Sequence, residues 1–251
     1  MSNFRKFLAT SEHPLARLGR GFYRRVRYFS IPAPKIIVKP MLWTFLAIRC
    51  VYFFVKRVFI CEPLFKAYCK EYGKNLSTGV FIHWVMGKGE IIVGDNVTID
   101  GACSFIFSAR FSDQPSLQIG SHTGIGNGCS FVVGKRISIG EYCMIAGDTT
   151  IFDSNGHPAD PEARKAGRPP AAAEVRPIEI GDNVWIGRCS TIFPGVKIGE
   201  GSIVSACSVV RTRVMPYTVV AGDPARKICD LPRRVSAGCG ESPRRSLCEG
   251  V

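Results

Sequence analysis

A chain of 251 residues, 46% hydrophobic and 21% charged, has the make-up of an ordinary globular protein, with room for one substantial domain and an appendage. Its formal net charge of +13 gathers at one end: residues 1–75 hold 15 of the 33 Lys and Arg but 3 of the 20 Asp and Glu. A basic appendage on a near-neutral body suits an anionic surface; no nucleic-acid-binding motif accompanies it, which excludes nucleic acid and leaves a membrane.

Taken in order, Met1 to Ser30 is basic and mixed, with Arg17, Arg20, Arg24, Arg25 and Arg27 in quick succession. Ile31-Pro32-Ala33-Pro34 breaks any helix, because proline lacks the N–H that a helix interior needs. With Pro40 near its start, a helix is predicted through Met41-Leu42-Trp43-Thr44-Phe45-Leu46-Ala47-Ile48 to about Cys61. Arg49, Lys56 and Arg57 interrupt it short of the roughly eighteen apolar residues that spanning requires. Such a helix suits the membrane interface, or a cap over the end of the next domain. Glu62 to Asn75 reads as a second short helix, with Gly73 near its end.

From Val93 an apolar residue recurs every six: Val93, Ile99, Phe105; after a two-residue excess Ile119, Ile125, Phe131; after another, Ile139, Ile145, Ile151. Asp153 to Arg176 is charged and rich in proline and alanine, so it must leave the repeat as a loop, and long ordered loops are usually functional. The strongest run follows: Ile180, Ile186, Ile192, Ile198, Val204 and Val210, with Val184, Ser190, Val196, Ser202, Ser208 and Val214 four places after each. Fixed-period self-similarity is the mark of a solenoid. Each hexad makes one face of a triangular β-coil, its aliphatic residue pointing inward and its small residue turning the corner. Cys103, Cys129 and Cys143 also fall at the small position, as core filler. The eleven cysteines are odd in number, include no Cys-x-x-Cys pair and follow no secretory signal, which predicts a reducing, cytoplasmic setting without a zinc site. The expected organisation is a basic helical appendage over 1–75, a β-solenoid over 76–230 with a loop at 153–176, and a mobile tail over 231–251.

Asp182-Asn183-Val184-Trp185-Ile186-Gly187, Pro194-Gly195-Val196-Lys197-Ile198-Gly199 and Val219-Val220-Ala221-Gly222-Asp223-Pro224-Ala225-Arg226 resemble the C-terminal signature of hexapeptide-repeat acetyltransferases. Within that group the chain is most similar to the galactoside, maltose and colanic-acid-type O-acetyltransferases, roughly from Ile91 to Ile228. The resemblance implies a mainly β fold, a left-handed parallel β-helix carrying an N-terminal helical segment, assembled as a homotrimer and using acetyl-CoA with no metal.

His157, in Asp153-Ser154-Asn155-Gly156-His157-Pro158, is the first candidate for chemistry. A neutral hydroxyl attacks a thioester poorly, and imidazole, mostly neutral at pH 7, can take its proton, a gain of roughly 10²–10⁴ in rate. Gly156-His157-Pro158 followed by Asp160-Pro161-Glu162-Ala163-Arg164 matches the family's catalytic loop, whose His deprotonates the acceptor for direct attack on acetyl-CoA. The resemblance also implies an acceptor-binding role for Asn127, although an Asn at a tight turn is more often structural. Eight residues on, Lys135 stands where an acidic acceptor contact is expected, favouring an anionic or larger glycan over a neutral disaccharide.

Trp185, at an outward fifth place, matches the residue lining the acceptor and cofactor pocket at the subunit junction; surface cover is the plain alternative. Gly187, Arg188 and Ala206 match positions along the pantetheine arm of the cofactor. Arg211, Thr212, Arg213 and Arg226 lie near the coil's end, where arginine suits phosphate. The family's Thr-Lys order is replaced by Arg211-Thr212. A zinc set from His83, His122 and His157, as in trimeric β-helical carbonic anhydrases, fails on spacing. The sequence thus predicts an O-acetyltransferase moving an acetyl group from acetyl-CoA to a sugar hydroxyl in exopolysaccharide, capsule or lipopolysaccharide synthesis, with peripheral contact at the inner face of the cell membrane. The alternatives are a small-molecule acetyltransferase of the same fold, acting on an antibiotic, serine or a sugar-nucleotide amine, and a non-enzymatic β-solenoid scaffold.

Overall fold

The computed structural model describes residues 7, 10–108 and 110–233; from residue 234 on, the expected tail lies outside them. The described residues divide into two units after Val51. In the first, α1 (Pro14–Arg27) starts on a proline, and the His13 ring accepts the Leu15 N–H at 3.3 Å as an N-terminal cap. Leu15, Leu18, Phe22 and Val26 recur at the three-to-four spacing of one helix face, and all are exposed. The next helix, α2 (Lys35–Lys56), carries Pro40 in its second turn and buries none of its 22 residues. Among the described residues no helix is long and apolar enough to cross a membrane.

The chain then passes through a wider turn, Arg57–Cys61, which buries Cys61, into α3 (Glu62–Tyr68), which buries Phe65. Glu62 sits between Arg57 at 3.6 Å and Lys66 at 3.8 Å. The helix expected to reach Asn75 stops at Tyr68, because the next four residues extend and pair with a strand one coil on.

The second unit is a triangular parallel coil of three sheets. The first face stacks β1 (Cys69–Tyr72), β4 (Glu90–Val93), β7 (Ser116–Ile119), β10 (Arg136–Ile139), β13 (Ile178–Ile180) and β16 (Lys197–Ile198). The second stacks β2 (Ser77–Thr78), β5 (Thr98–Ile99), β8 (Gly124–Ile125), β11 (Met144–Ile145), β14 (Trp185–Ile186), β17 (Ile203–Val204) and β19 (Thr218–Ala221), and β20 (Arg226–Asp230) closes it antiparallel. The third stacks β3 (Trp84–Met86), β6 (Ser104–Phe107), β9 (Ser130–Val133), β12 (Thr150–Phe152), β15 (Thr191–Ile192) and β18 (Val209–Val210).

Every coil repeats the same inward positions. Ile99 pairs with Ile125, Ile125 with Ile145, Ile145 with Ile186 and Ile186 with Val204, although the sequence steps between them are unequal. The expected inward aliphatics from Ile180 to Val210 and the small residues from Val184 to Val214 are all buried. So are Cys103, Cys129 and Cys143, and Phe105 stacks on Phe131 at 5.3 Å. Corners require left-handed backbone, and at one corner Asn75, Asn96, His122, Tyr142, Asn183 and Tyr217 adopt it with φ of 53–58°, Gly201 taking the turn between the last two. Such a residue costs about 1–2 kcal/mol, whereas each buried Ile or Val of a hexad contributes about 1.5–3 kcal/mol, and a coil buries several. Burial wins, so the corner conformation persists even on Tyr and His.

The coil begins at Cys69, ahead of the recurrence read from Val93. Its first turn lacks a regular aliphatic repeat because α3 closes the end: Phe65 lies over His83 at 4.9 Å, ring edge to face, and over Phe105 at 5.3 Å. This end of the coil is thus capped by α3. The His83 ring accepts the Cys103 N–H through Nδ1 at 3.3 Å, while Nε2 is buried without a partner. Burial pushes His83 down to about 4. The unfolded imidazole protonates near pH 6.5 and the folded one only near 4, so stability falls as pH drops across that window. We expect unfolding in urea to show a loss of up to about 3 kcal/mol between pH 7 and 4, with His83→Leu flattening that slope. An equal slope in both proteins would assign the acid sensitivity elsewhere.

Candidate active site

Three features gather around the third face. The first is the corner joining the second face to the third. Hydrogen bonds climb it coil by coil: Asp148 N–H to the Asn127 carbonyl at 2.8 Å, Cys189 N–H to Gly147 at 3.1 Å, and Cys207 N–H to Arg188 at 2.8 Å. Asn127, Arg188 and Ala206, distant in sequence, thus stand in one column. Asn127 braces the corner below, its Oδ1 accepting the Ala102 N–H at 3.0 Å. Arg188 reaches down to Asp148, with Nε and Nη2 on the same Oδ2 at 3.0 and 2.7 Å. The backbone N–H groups of Arg188 and Ala206 make no hydrogen bond to another described residue. A Cβ on Gly187 would stand 2.4 Å from the Ala206 nitrogen, so only glycine allows these two coils to close here.

Trp185 flanks the column on the second face, its ring directed outward and 49% exposed. With Thr98, Asp100, Gly126, Met144 and Ala146 it lines a shallow groove of about 190 Å³. Gly124, above Thr98 in the ladder, leaves the floor flat.

The second feature is the open end of the solenoid. A depression of about 220 Å³ brings together Thr212, Arg213, Arg226 and Lys227 with Met215 and Thr218. Thr212, Arg213 and Arg226 were expected there; Lys227 completes the cationic set. Arg211 is not part of that lining, because its guanidinium lies 4.2 Å over the Phe193 ring. Lys227 also holds Asp230 at 2.6 Å.

The third feature is the loop, which leaves after Phe152 and returns at Ile178, at the opposite edge of the third face. Its one helix, α4 (Pro161–Lys165), is capped by Asp160, whose Oδ2 accepts the Ala163 N–H at 2.9 Å. Arg164 donates to the Pro158 and Ala159 carbonyls at 3.0 and 2.6 Å, folding the helix back on the turn that bears His157. Ser154 accepts the Gly156 N–H at 3.2 Å, and His157 itself is exposed. His157 makes no hydrogen bond or ring contact with the column residues of its own chain.

Asp153, fully buried, was not singled out in the sequence. The signal was its parity: two places after inward Ile151, a carboxylate points into the core. It accepts the backbone N–H groups of Gly134 at 2.5 Å and of Lys135 and Arg136 at 2.7 and 2.8 Å. Burial raises its carboxyl above the usual range, and the three donors pull the other way. Lys135 donates to the Ala172 carbonyl at 2.9 Å, so this cation ties down the loop. His122 stacks flat on Tyr142 at 4.6 Å and belongs to the outer corner.

A β-coil of hexads with an inserted His-bearing loop defines a class, and the comparisons identify it. The pattern described as "Bacterial transferase hexapeptide (six repeats)" matches residues 177–212. Galactoside O-acetyltransferase of Escherichia coli (strain K12) is 32% identical over 142 residues, 57% of this chain. The chain spans 64% of that protein's length, just under two thirds. Nodulation protein L of Rhizobium meliloti (strain 1021) is 34% identical over 140 residues, 56% of this chain and 69% of its own. Among solved structures, a variant of AntD, an N-acyltransferase from Bacillus cereus in complex with dTDP and coenzyme A, superposes with a TM-score of 0.56 at 26% identity, over 69% of this chain and 91% of that one. The chain belongs to the hexapeptide-repeat transferase family, and its fold is the left-handed parallel β-helix.

Two substitutions test the corner. Gly187→Ala should lower the melting temperature by several degrees, because the new methyl meets backbone rather than a flexible side chain. Arg188→Ala should change stability by less than about 0.5 kcal/mol, its ion pair with Asp148 being exposed. Thermal unfolding of the two variants beside the parent protein measures both.

Proposed function

We propose that this protein is an O-acetyltransferase that moves an acetyl group from acetyl-CoA to a sugar hydroxyl. The observation that carries the reading is the corner column of unpaired N–H groups, rising beside Trp185 toward the cationic end of the coil. Coenzyme A presents amide carbonyls along its pantetheine arm and phosphates at its far end. The Arg188 and Ala206 N–H groups suit the carbonyls, Gly187 lets the arm lie close, and Thr212, Arg213, Arg226 and Lys227 suit the phosphates. The thioester of acetyl-CoA supplies the activated acyl group. His157 takes the proton of the acceptor hydroxyl as its oxygen bonds to the acyl carbon, and the thiolate leaves with that proton. Backbone N–H groups of the column steady the oxyanion. Trp185 and Asn127, one beside the column and one in it, face the acceptor side.

In one chain His157 rises from one edge of the third face and the column from the other. A face of some six extended residues is roughly 15–20 Å across. Four residues beyond Asp153 span at most about 14 Å, and the Ser154–Gly156 hydrogen bond shortens that reach. This supports a homotrimer in which His157 of one copy faces the column of the next.

The acceptor is read as a cell-surface or exported polysaccharide precursor, assembled at the inner face of the cytoplasmic membrane. Two features of the N-terminal segment support that location. α1 alternates exposed apolar residues with arginines, and α2 leaves Trp43, Phe45, Phe53 and Phe54 exposed beside Arg49 and Lys56. Such helices lie in the interface of anionic bilayers.

Thiol release from acetyl-CoA over a panel of glycans should require an acceptor, and His157→Ala should cut kcat about 10²–10⁴-fold with little change in the KM for acetyl-CoA. Arg226→Ala should do the reverse, raising that KM about tenfold or more with kcat retained. Release that ignores the acceptor, or survives loss of His157, would overturn the reading. The full chain should co-float with vesicles containing phosphatidylserine and stay behind with neutral ones; equal recovery from both would remove the membrane contact.

A further inference from the structure

Asp153 lies at the point where the His157 loop leaves the coil, and it holds more of the local backbone than any neighbour. Its carboxylate takes three consecutive N–H groups, from Gly134, Lys135 and Arg136, which form the same corner one coil earlier. Its own N–H donates to the Val132 carbonyl at 3.1 Å, and its carbonyl accepts the Arg176 N–H at 2.9 Å. Arg176 in turn accepts Gly195 N–H at 2.9 Å, so the returning limb of the loop is tied both to Asp153 and to the next coil. Lys135 adds its bond to Ala172, and Val175 is buried beside Gly134. One buried residue therefore joins the departure of the loop, its return and the coil beneath: its carboxylate holds the coil, and its backbone carbonyl holds the returning limb. Between these ties the loop is largely exposed, and His157 is four residues from the anchor.

A buried carboxylate with three backbone donors is a costly device for merely ending a strand. An apolar side chain would fill the space, as Val133 does one coil earlier, next to the Val132 that pairs with Phe152. The device sets a position: it fixes Asp153 to the coil in two directions, and Ser154 then fixes the turn that carries Gly156 and His157. We propose that Asp153 is the positioning residue for His157, holding the loop so that the imidazole stands at a set place over the coil. The inference rests on the reading of His157 as the base.

Asp153→Asn keeps the size but turns one acceptor into a donor facing backbone N–H groups. A base displaced by about 1 Å costs up to 10²-fold, so kcat should fall about 10–100-fold with acetyl-CoA binding stoichiometry and affinity unchanged. The deciding measurement is the same substitution made in His157→Ala: residual thiol release there should change by less than twofold, because a residue acting through His157 has nothing left to position. A similar fall in both backgrounds would make Asp153 merely structural and overturn the inference, as would an Asp153→Asn kcat within twofold of the parent. Full activity in His157→Ala alone would remove the base and the inference together, an outcome distinct from the other two. If Asp153→Asn fails to bind acetyl-CoA at all, Asp153→Ser, smaller and still an acceptor, is read by the same criteria, with a loss between the parent and the Asn variant expected.

Discussion

Coil-on-coil register is the constraint on which everything else in this molecule depends. In a parallel ladder each residue stands over its counterpart one coil earlier, about 4.8 Å away, so any position is judged by a column rather than by its sequence neighbours. Inward columns must be aliphatic or small, and outward columns are free to vary. Corners must tolerate left-handed backbone. Insertions are admitted only where they restore the register on return. The long step from Ile145 to Ile186 passes that test, since the two residues still pair directly. A loop can therefore be added to such a scaffold without disturbing the stack, and this one carries His157.

The same register explains how a site forms without any pocket enclosed in one chain. Backbone N–H groups at a corner point outward wherever the next coil does not claim them, and Arg188 and Ala206 repeat that situation one turn apart. A linear ligand laid along the corner meets a periodic row of donors. Outer ion pairs play a smaller part. Arg136 and Lys197 both hold Glu179, at 3.6 and 2.8 Å, but all three are about half exposed, where such pairs contribute under about 1 kcal/mol each. The cations at the coil's end are placed differently: Arg213 and Arg226 face a depression with no carboxylate among its lining residues.

Much of this was legible in the sequence because the hexad period is a property of single positions. Ile180 to Val210 and their small partners fell where burial requires them, and Trp185 pointed outward as its fifth place implies. What escaped was whatever depends on contacts across coils. The first turn was read as helix to Asn75 because its inward residues, Leu76, Thr78 and His83, follow no aliphatic period; the cap from Phe65 relieves them of it. Asp153 looked like one more loop acid, since its three donors lie about twenty residues earlier in sequence. Lys135 was read as a clue to an anionic acceptor, yet its ammonium is tied to the Ala172 carbonyl. Arg211 resembled a phosphate ligand by position, and its guanidinium instead covers Phe193.

The N-terminal segment follows a different physics from the coil. From His13 to Cys61 the sequence contains no Asp or Glu, and its helices expose aromatic and aliphatic residues in numbers that a coil face never does. In water that surface would favour association, and four cations along α2 forbid the continuous apolar run needed to span a bilayer. The proposed seat between headgroup and acyl chain would satisfy both demands, with the cations at phosphate level and the rings a few ångströms deeper. Each basic residue near an anionic surface contributes about 1 kcal/mol, and each buried aromatic adds a comparable share, so the two kinds of residue reinforce one another there and oppose one another anywhere else.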